Sequence, residues 1–218
     1  MKFEFEQIAH MECGYREKFG IPRQAGLADA VIGRIVFEEK YRNADALRGL
    51  EGFSHIWVIW LFSENEGGGF SPTVRPPRLG GNRRMGVFAT RSPNRPNPVG
   101  LSCVKIEAIE GTDIVVSGAD LMDGTPILDI KPYIPYADMK PEAAEGFAAK
   151  PEDHLNVKFE CICPEEIKKA LEQTLSLDPR PRYQSDPERV YGLNYEKYNI
   201  KFTVDGDELT VKEISEPD

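Results

Sequence analysis

The segment Arg91–Ser102, which reads RSPNRPNPVGLS, carries residue types well suited to binding a charged or polar ligand. Its three prolines fix backbone angles, remove amide donors and restrict each preceding residue to extended geometry. The resulting stiff loop presents four polar side chains in set directions, namely Arg91, Asn94, Arg95 and Asn97. Guanidinium groups bind phosphate or carboxylate through paired hydrogen bonds, and amides can read a base or an amino-acid group. The loop therefore predicts an anion-binding site, and the alternative is a rigid connection whose arginines pair with surface carboxylates.

The distribution of charge along the chain supports the binding interpretation. A net charge of −9 argues by itself against nucleic acid as a partner. However, the segment from Gly67 to Ile106 contains seven basic residues and no acidic residue. A basic segment in an otherwise acidic chain is typical of a localised anion site, and RNA is one candidate ligand.

Three further segments carry polar residues. Asp120–Tyr133, reading DLMDGTPILDIKPY, contains the turn signal Asp123-Gly124, and its residue types alone favour a turn between strands over a site. Pro22-Arg23-Gln24 is a polar loop. His55 adjoins an apolar run, where a lone histidine is more often a hydrogen-bonded structural residue than a base.

The cysteines predict no metal centre and a reducing compartment. Cys161 and Cys163, with His154 upstream, lack the second ligand pair that a structural zinc site usually has. The four cysteines are few and scattered, as in cytosolic proteins. The sequence has no stretch near the ~20 apolar residues of a membrane span and no secretory signal. We therefore expect a cytoplasmic protein without membrane contact.

Signatures of several common enzyme classes are missing. The sequence has no glycine-rich dinucleotide fingerprint, no phosphate loop ending in Gly-Lys-Ser/Thr and no Gly-x-Ser-x-Gly elbow. A Rossmann enzyme or an NTPase is therefore disfavoured.

The elements that position these residues are mostly strands. Short β-branched or apolar runs predict strands at 31–37, 55–62, 87–89, 101–109 and 114–117, the last two joined by a turn at Glu110-Gly111. Asn43 is a suitable N-cap for a helical turn at 43–50. The glycine- and proline-rich segment 64–85 predicts a long functional loop.

The last third of the chain has a different texture. A linker is expected at 139–153, followed by an amphipathic helix at 164–175 and a hairpin at 198–214 around Asp205-Gly206-Asp207. We therefore predict a mainly β protein: a β-barrel domain at 1–140 and a small α+β domain at 141–218.

Long motifs spread over nearly the whole chain resemble the TsaA-like family, whose bacterial members are tRNA N6-threonylcarbamoyladenosine methyltransferases. The motifs are PRQAGL (22–27), RGLEGFSHIWV (48–58), RPPRLGGNRRMGVFATRS (75–92), RPNPVGLS (95–102), DGTPILDIKPY (123–133) and DPRPRY (178–183).

The resemblance implies a homodimeric β-barrel that binds S-adenosylmethionine and methylates N6 of threonylcarbamoyladenosine beside the tRNA anticodon. It implies cofactor contacts from Pro22, Arg23, Gln24, Ser63, Glu64, Arg91, Leu101, Asp123, Gly124, Thr125 and Pro126. Substrate contacts are expected from Asn94, Arg95 and Asn97, and contacts with the tRNA from Arg180, Arg182 and Tyr183. An arginine-lined loop suits a modified base that carries a threonine carboxylate within a single-stranded, phosphate-rich loop.

Two alternatives remain at this level: a non-catalytic barrel that binds S-adenosylmethionine or RNA, and a methyltransferase of the same fold with another substrate. The sequence identifies no general base. We expect arginines to stabilise the negative charge that forms when N6 loses its proton. Replacing Arg95 with Ala should then lower the methylation rate far more than the cofactor affinity.

Overall fold

Six antiparallel strands between Ala9 and Pro132 close into a barrel. The computed structural model describes residues 3–65, 70–76, 79, 82–148, 154–181 and 184–216. The strands of the first two-thirds are β1 (Ala9–Cys13), β2 (Ile32–Phe37), β3 (His55–Leu61), β4 (Thr73–Val74), β5 (Met85–Gly86), β6 (Val99–Glu110), β7 (Asp113–Ser117) and β8 (Pro126–Pro132). The barrel order is β1-β2-β7-β6-β3-β8, with β8 paired back to β1, while β4 and β5 form a separate ladder.

The barrel interior is filled by alternate residues of its strands. In β3, Ile56, Val58 and Trp60 point inward and are buried, because successive side chains of a strand face opposite sides. The opposite face of β3 was expected to be buried as well, but Trp57 and Ile59 remain partly exposed. The mainly β barrel predicted from the sequence is confirmed.

One of two predictions about local structure requires correction. Val87–Ala89 is a 3-10 turn and not a strand, since the backbone N–H and the hydroxyl of Thr90 both donate to the carbonyl of Val87, at 3.1 and 2.8 Å. The turn predicted at Asp123-Gly124 is present, with Gly124 at φ of +75°, and it lies between β7 and β8. Strand β8, which is not among the strands predicted from the sequence, pairs with β3 on one side and β1 on the other.

The C-terminal part is a four-stranded sheet covered by a helix. The helices are the single turn α1 (Pro135–Asp138) and α2 (Glu165–Ser176), and the strands are β9 (Asn156–Phe159), β10 (Tyr191–Tyr195), β11 (Tyr198–Asp205) and β12 (Glu208–Ser215). The sheet order is β10-β11-β12-β9, with β9 parallel to β12. The predicted helix and hairpin are confirmed: Ile167, Ala170, Leu171 and Leu175 of α2 are all buried, and Gly206 turns the hairpin with φ of +58°.

The C-terminal core also contains residues from the start of the chain. Tyr15, Ala28 and Val31 are buried within it. The Tyr15 hydroxyl lies 2.9 Å from the hydroxyl of Thr174 in α2, and its ring packs edge-on against Tyr195 at a centroid distance of 5.5 Å. The division of the chain into domains at 1–140 and 141–218 stays a prediction.

Candidate functional site

A cavity of about 480 Å³ lies where the ends of β3 and β6 meet three loops. This volume is in the range of small-molecule sites. We call it the barrel cavity, and its lining includes Lys18, Pro22, Arg23, Gln24, Trp60, Ser63, Glu64, Arg91, Arg95, Val99, Leu101, Asp120 and Thr125. Eight of the eleven cofactor residues implied by the resemblance thus surround one cavity, although they come from five separate segments of the chain.

The proline-rich loop is held in place by its own arginines. Arg95 donates from Nη1 to the carbonyl oxygens of Thr90, at 3.0 Å, and Ser92, at 3.4 Å. Arg91 donates to the side-chain oxygen of Gln24, so the loop is tied to the Pro22–Gln24 segment across the cavity mouth. The two segments that the sequence singled out separately therefore form a single polar rim.

A chain of hydrogen bonds connects Trp60, Ser102 and Asp120 at the inner wall of the cavity. The indole N–H of Trp60 donates to the Ser102 hydroxyl at 2.9 Å, and that hydroxyl donates to Oδ1 of Asp120 at 2.5 Å. Burial raises the pKa of Asp120, while the Ser102 hydrogen bond, backbone hydrogen bonds and the charge of Arg91 act in the opposite direction. None of these three residues is predicted as a site residue from the sequence. Their only sequence signal is that Ser102 ends one family motif and Asp120 begins the segment that contains another.

Three of the implied cofactor residues instead occupy a neighbouring turn and the start of β8. Among the described residues, Thr125 lines the barrel cavity, but Asp123, Gly124 and Pro126 do not. The Asp123 carboxylate accepts from the Cys13 backbone N–H at 2.9 Å and forms an ion pair with Arg16. The carboxylate of Asp123 therefore already has two partners that tie the end of β1 to this turn.

A larger cleft of about 1830 Å³ adjoins the barrel cavity and reaches the C-terminal part. We call it the basic cleft. It shares Pro22, Arg23, Gln24 and Arg91 with the barrel cavity, and its lining further includes Arg75, Arg84, Phe88, Asn94, Phe147, Leu177, Asp178 and Arg180. Phe88 is 73% exposed, and its ring stacks on that of Phe70 with the centroids 6.5 Å apart.

The expected substrate residues are divided between these two spaces. Asn94 and Arg180 line the basic cleft, Arg95 lines the barrel cavity, and Asn97 lines neither of them. Arg180 donates to both carboxylate oxygens of Asp178, at 2.8 and 3.1 Å, and this pairing raises the pKa of the guanidinium. Arg182 and Tyr183 lie outside the described residues.

Other features expected from the sequence lie away from both spaces. The His55 ring nitrogen Nδ1 lies 2.9 Å from the Ser54 hydroxyl, as expected of a structural histidine. Within the described part of the chain, no three His, Cys, Asp or Glu side chains group as metal ligands. No helix in that same part is both long and apolar enough to span a membrane.

The fold and the site define a β-barrel protein with a polar ligand cavity at one end of the barrel and a basic cleft beside it. The model of the tRNA-methyltransferase O N-terminal domain matches residues 10–139, and that of the TrmO C-terminal domain matches residues 147–217. The chain belongs to the tRNA-methyltransferase O family, which confirms the resemblance found in the motifs.

Individual relatives agree with this assignment. The tRNA (adenine(37)-N6)-methyltransferase of Escherichia coli (strain K12) is 40% identical over 223 residues, which cover 93% of each chain. A putative S-adenosylmethionine-dependent methyltransferase, RcsF, of Pseudomonas aeruginosa PAO1 is 40% identical over 205 residues, 88% of this chain and 89% of that protein. The crystal structure of TrmO from Pseudomonas aeruginosa superposes with a TM-score of 0.82 at 32% identity and covers 99% of both chains.

Proposed function

We propose that this protein is an S-adenosylmethionine-dependent tRNA methyltransferase that methylates N6 of threonylcarbamoyladenosine next to the anticodon. The observation that carries the proposal is the shared wall of the two spaces. Pro22, Arg23, Gln24 and Arg91 line both the cofactor-sized barrel cavity and the much larger basic cleft. A methyl donor in the first space and an RNA base in the second would therefore meet at this wall.

The barrel cavity fits S-adenosylmethionine in volume and in chemistry. This cofactor combines a planar base, a cationic sulfonium and an amino-acid end of both charges. Trp60 and Leu101 supply apolar surface, Glu64 supplies negative charge, and Arg91 supplies positive charge. When bound, the cofactor supplies a methyl group already activated on sulfur, so the protein's contribution is alignment of the nucleophile.

The basic cleft suits a single-stranded RNA loop. Arg75, Arg84 and Arg91 can neutralise phosphates or the threonine carboxylate, and exposed Phe88 offers a stacking face for an unpaired base. Base-to-aromatic stacking contributes about 1–3 kcal/mol per base. Replacing Phe88 with Ala should therefore weaken tRNA binding by roughly 5- to 150-fold.

The assay uses purified protein, labelled S-adenosylmethionine and two tRNAs that differ only in the threonylcarbamoyl group. We expect methyl transfer only to the modified tRNA. The matched control for Phe88→Ala is Phe5→Ala, because Phe5 is 75% exposed and lines neither space. Transfer to the unmodified tRNA would refute the substrate assignment. Cofactor binding without transfer to either tRNA would favour a sensor.

The loop arginine Arg95 offers a separate test of the site. Arg95 lines the barrel cavity, and its guanidinium holds the loop carbonyls. We keep the expectation that Arg95→Ala lowers the methylation rate more than the S-adenosylmethionine affinity, and single-turnover assays with calorimetric titrations measure the two. An equal fall in both would assign Arg95 to the cofactor.

We further propose that the protein is a homodimer that associates through the outer face of β3 and β6. On this face Ile59 pairs with Leu101 and Leu61 pairs with Val99, and Leu101 is 53% exposed. Val99 is 38% exposed, and Ile59 and Leu61 are partly exposed. The four side chains form an apolar row on this face, and an exposed apolar patch can mark an interface. Sedimentation should show a dimer that Leu101→Asp dissociates, whereas Ile162→Asp, at an apolar residue 94% exposed, should leave it intact. A wild-type monomer would refute the proposal.

A further inference from the structure

We infer that Asp120 is the proton acceptor of the methyl transfer and that the Trp60–Ser102 hydrogen-bond chain positions it. This inference rests on the proposed function, because it requires that a base nitrogen be methylated at the barrel cavity. Asp120 lines that cavity together with Gln24, Arg91 and Thr125.

The direction of the hydrogen-bond chain fixes Asp120 as an acceptor. An indole N–H can only donate, so the Ser102 oxygen accepts from Trp60 and its own proton is left for Asp120. Ser102 is 2% exposed and Trp60 is 7% exposed, so water competes little for either bond. A carboxylate has about four lone-pair sites, and the Ser102 hydroxyl uses one of them.

The surroundings of Asp120 separate it from the other carboxylate of this cavity. Glu64 is exposed in the middle of the short turn Ser63–Asn65, so its charge is solvated and screened. Asp120 is only partly exposed at the barrel end, and burial raises its pKa. A higher proton affinity makes a carboxylate a better general base near neutral pH. The other charged groups that line the cavity around Asp120 are Lys18, Arg23, Glu64, Arg91 and Arg95.

The proposed step balances in protons and electrons. The N–H bond of N6 breaks, and its proton forms an O–H bond on the Asp120 carboxylate. The nitrogen electron pair forms the N–CH₃ bond, while the electron pair of the S–CH₃ bond stays on sulfur as a neutral thioether. The positive charge of the sulfonium and the negative charge of the carboxylate are neutralised in the same step, so the site gains no net charge.

The test compares Asp120→Asn and Ser102→Ala with the control Asp113→Asn, which alters a carboxylate on β7 that lines neither space. Single-turnover methyl transfer is measured at saturating cofactor and modified tRNA across a range of pH. Affinities for S-adenosylmethionine and for its demethylated thioether are measured by calorimetry.

We expect Asp120→Asn to lower the rate by about 10²–10⁴-fold while both affinities change less than about threefold. The wild-type rate should rise with pH as Asp120 deprotonates. This rising limb of the pH–rate profile should vanish in Asp120→Asn. Ser102→Ala should move the limb to higher pH, because the serine hydrogen bond lowers the pKa of Asp120. A merely structural role for Ser102 would not move the limb.

Three results would overturn the inference. If the wild-type protein methylates tRNA and the Asp120→Asn variant is as active as Asp113→Asn, Asp120 is not the proton acceptor, and the proposed function remains intact. Weaker binding of S-adenosylmethionine but not of its thioether would make Asp120 a counter-ion of the sulfonium. A wild-type protein that methylates no tRNA would overturn the proposed function and this role together.

Discussion

Replacing Gly100 with Ala tests the packing on which the barrel cavity depends. Gly100 of β6 lies opposite Trp60 of β3, and a Cβ atom at Gly100 would lie 2.2 to 2.5 Å from three atoms of the indole. Such contacts are far inside van der Waals distance, so the indole must move. Trp60 is buried and hydrogen-bonded to Ser102, so movement disturbs both the core and the chain to Asp120.

The size of the effect follows from these contacts. Overpacking a well-packed core costs about 1–3 kcal/mol. The lower backbone entropy of Ala in the unfolded chain offsets about 0.4–1 kcal/mol of this. A net loss of about 1–2 kcal/mol corresponds to a fall in Tm of roughly 2–8 °C for a protein of this size. We also expect weaker S-adenosylmethionine binding, because the displaced indole enters the cavity.

The assay is thermal unfolding followed by tryptophan fluorescence, together with calorimetric titration of the cofactor. The control is Gly192→Ala on β10, where an added Cβ meets nothing within 4 Å. This change should stay within about 0.5 kcal/mol of the wild type. If Gly100→Ala melts and binds like Gly192→Ala, the argument that Trp60 requires a glycine beside it is refuted.

Three further predictions concern other buried groups. Tyr15→Phe should cost about 1–3 kcal/mol in urea unfolding, because it leaves the buried Thr174 hydroxyl without this partner, and an unchanged midpoint would contradict it. Because the pKa of Asp120 is raised in the folded state, the wild type should lose stability relative to Asp120→Asn as pH rises through that pKa. The Tm of both proteins is measured between about pH 4 and 8, and parallel curves would refute this. Burial raises the pKa of Cys13 to about 11, so iodoacetamide should alkylate Cys13 more slowly than the less deeply buried Cys161. Peptide mass spectrometry measures both alkylation rates, and equal rates would count against the prediction.

Elements defined by short-range patterns were predictable from the sequence. The apolar run of β3, the helical periodicity of α2 and the turn residues between β11 and β12 each lie within a few adjacent residues. β8 was missed because Asp129 and Lys131 interrupt its apolar pattern. Both side chains reach solvent on the strand, and they form an ion pair with each other at 2.7 Å.

The candidate site was predictable only in its loops. Arg91 and Gln24 belong to conspicuous polar segments, and the structure brings them together. The chain from Trp60 through Ser102 to Asp120 joins residues 42 and 18 positions apart, and only barrel closure makes them neighbours. No local pattern marks a serine or an aspartate that acts through such a contact.

The placement of Tyr15 in the C-terminal core has a consequence for how this protein can be recombined with its relatives. A chimera spliced near residue 140 would set a foreign α2 and sheet against Tyr15, Ala28 and Val31, which the N-terminal parent supplies. Tyr15 also forms an isolated β-bridge with Tyr195, so the mismatch would reach the backbone. Functional exchange of C-terminal parts therefore requires these N-terminal positions to be transplanted together with them, and natural variation should couple the two sets.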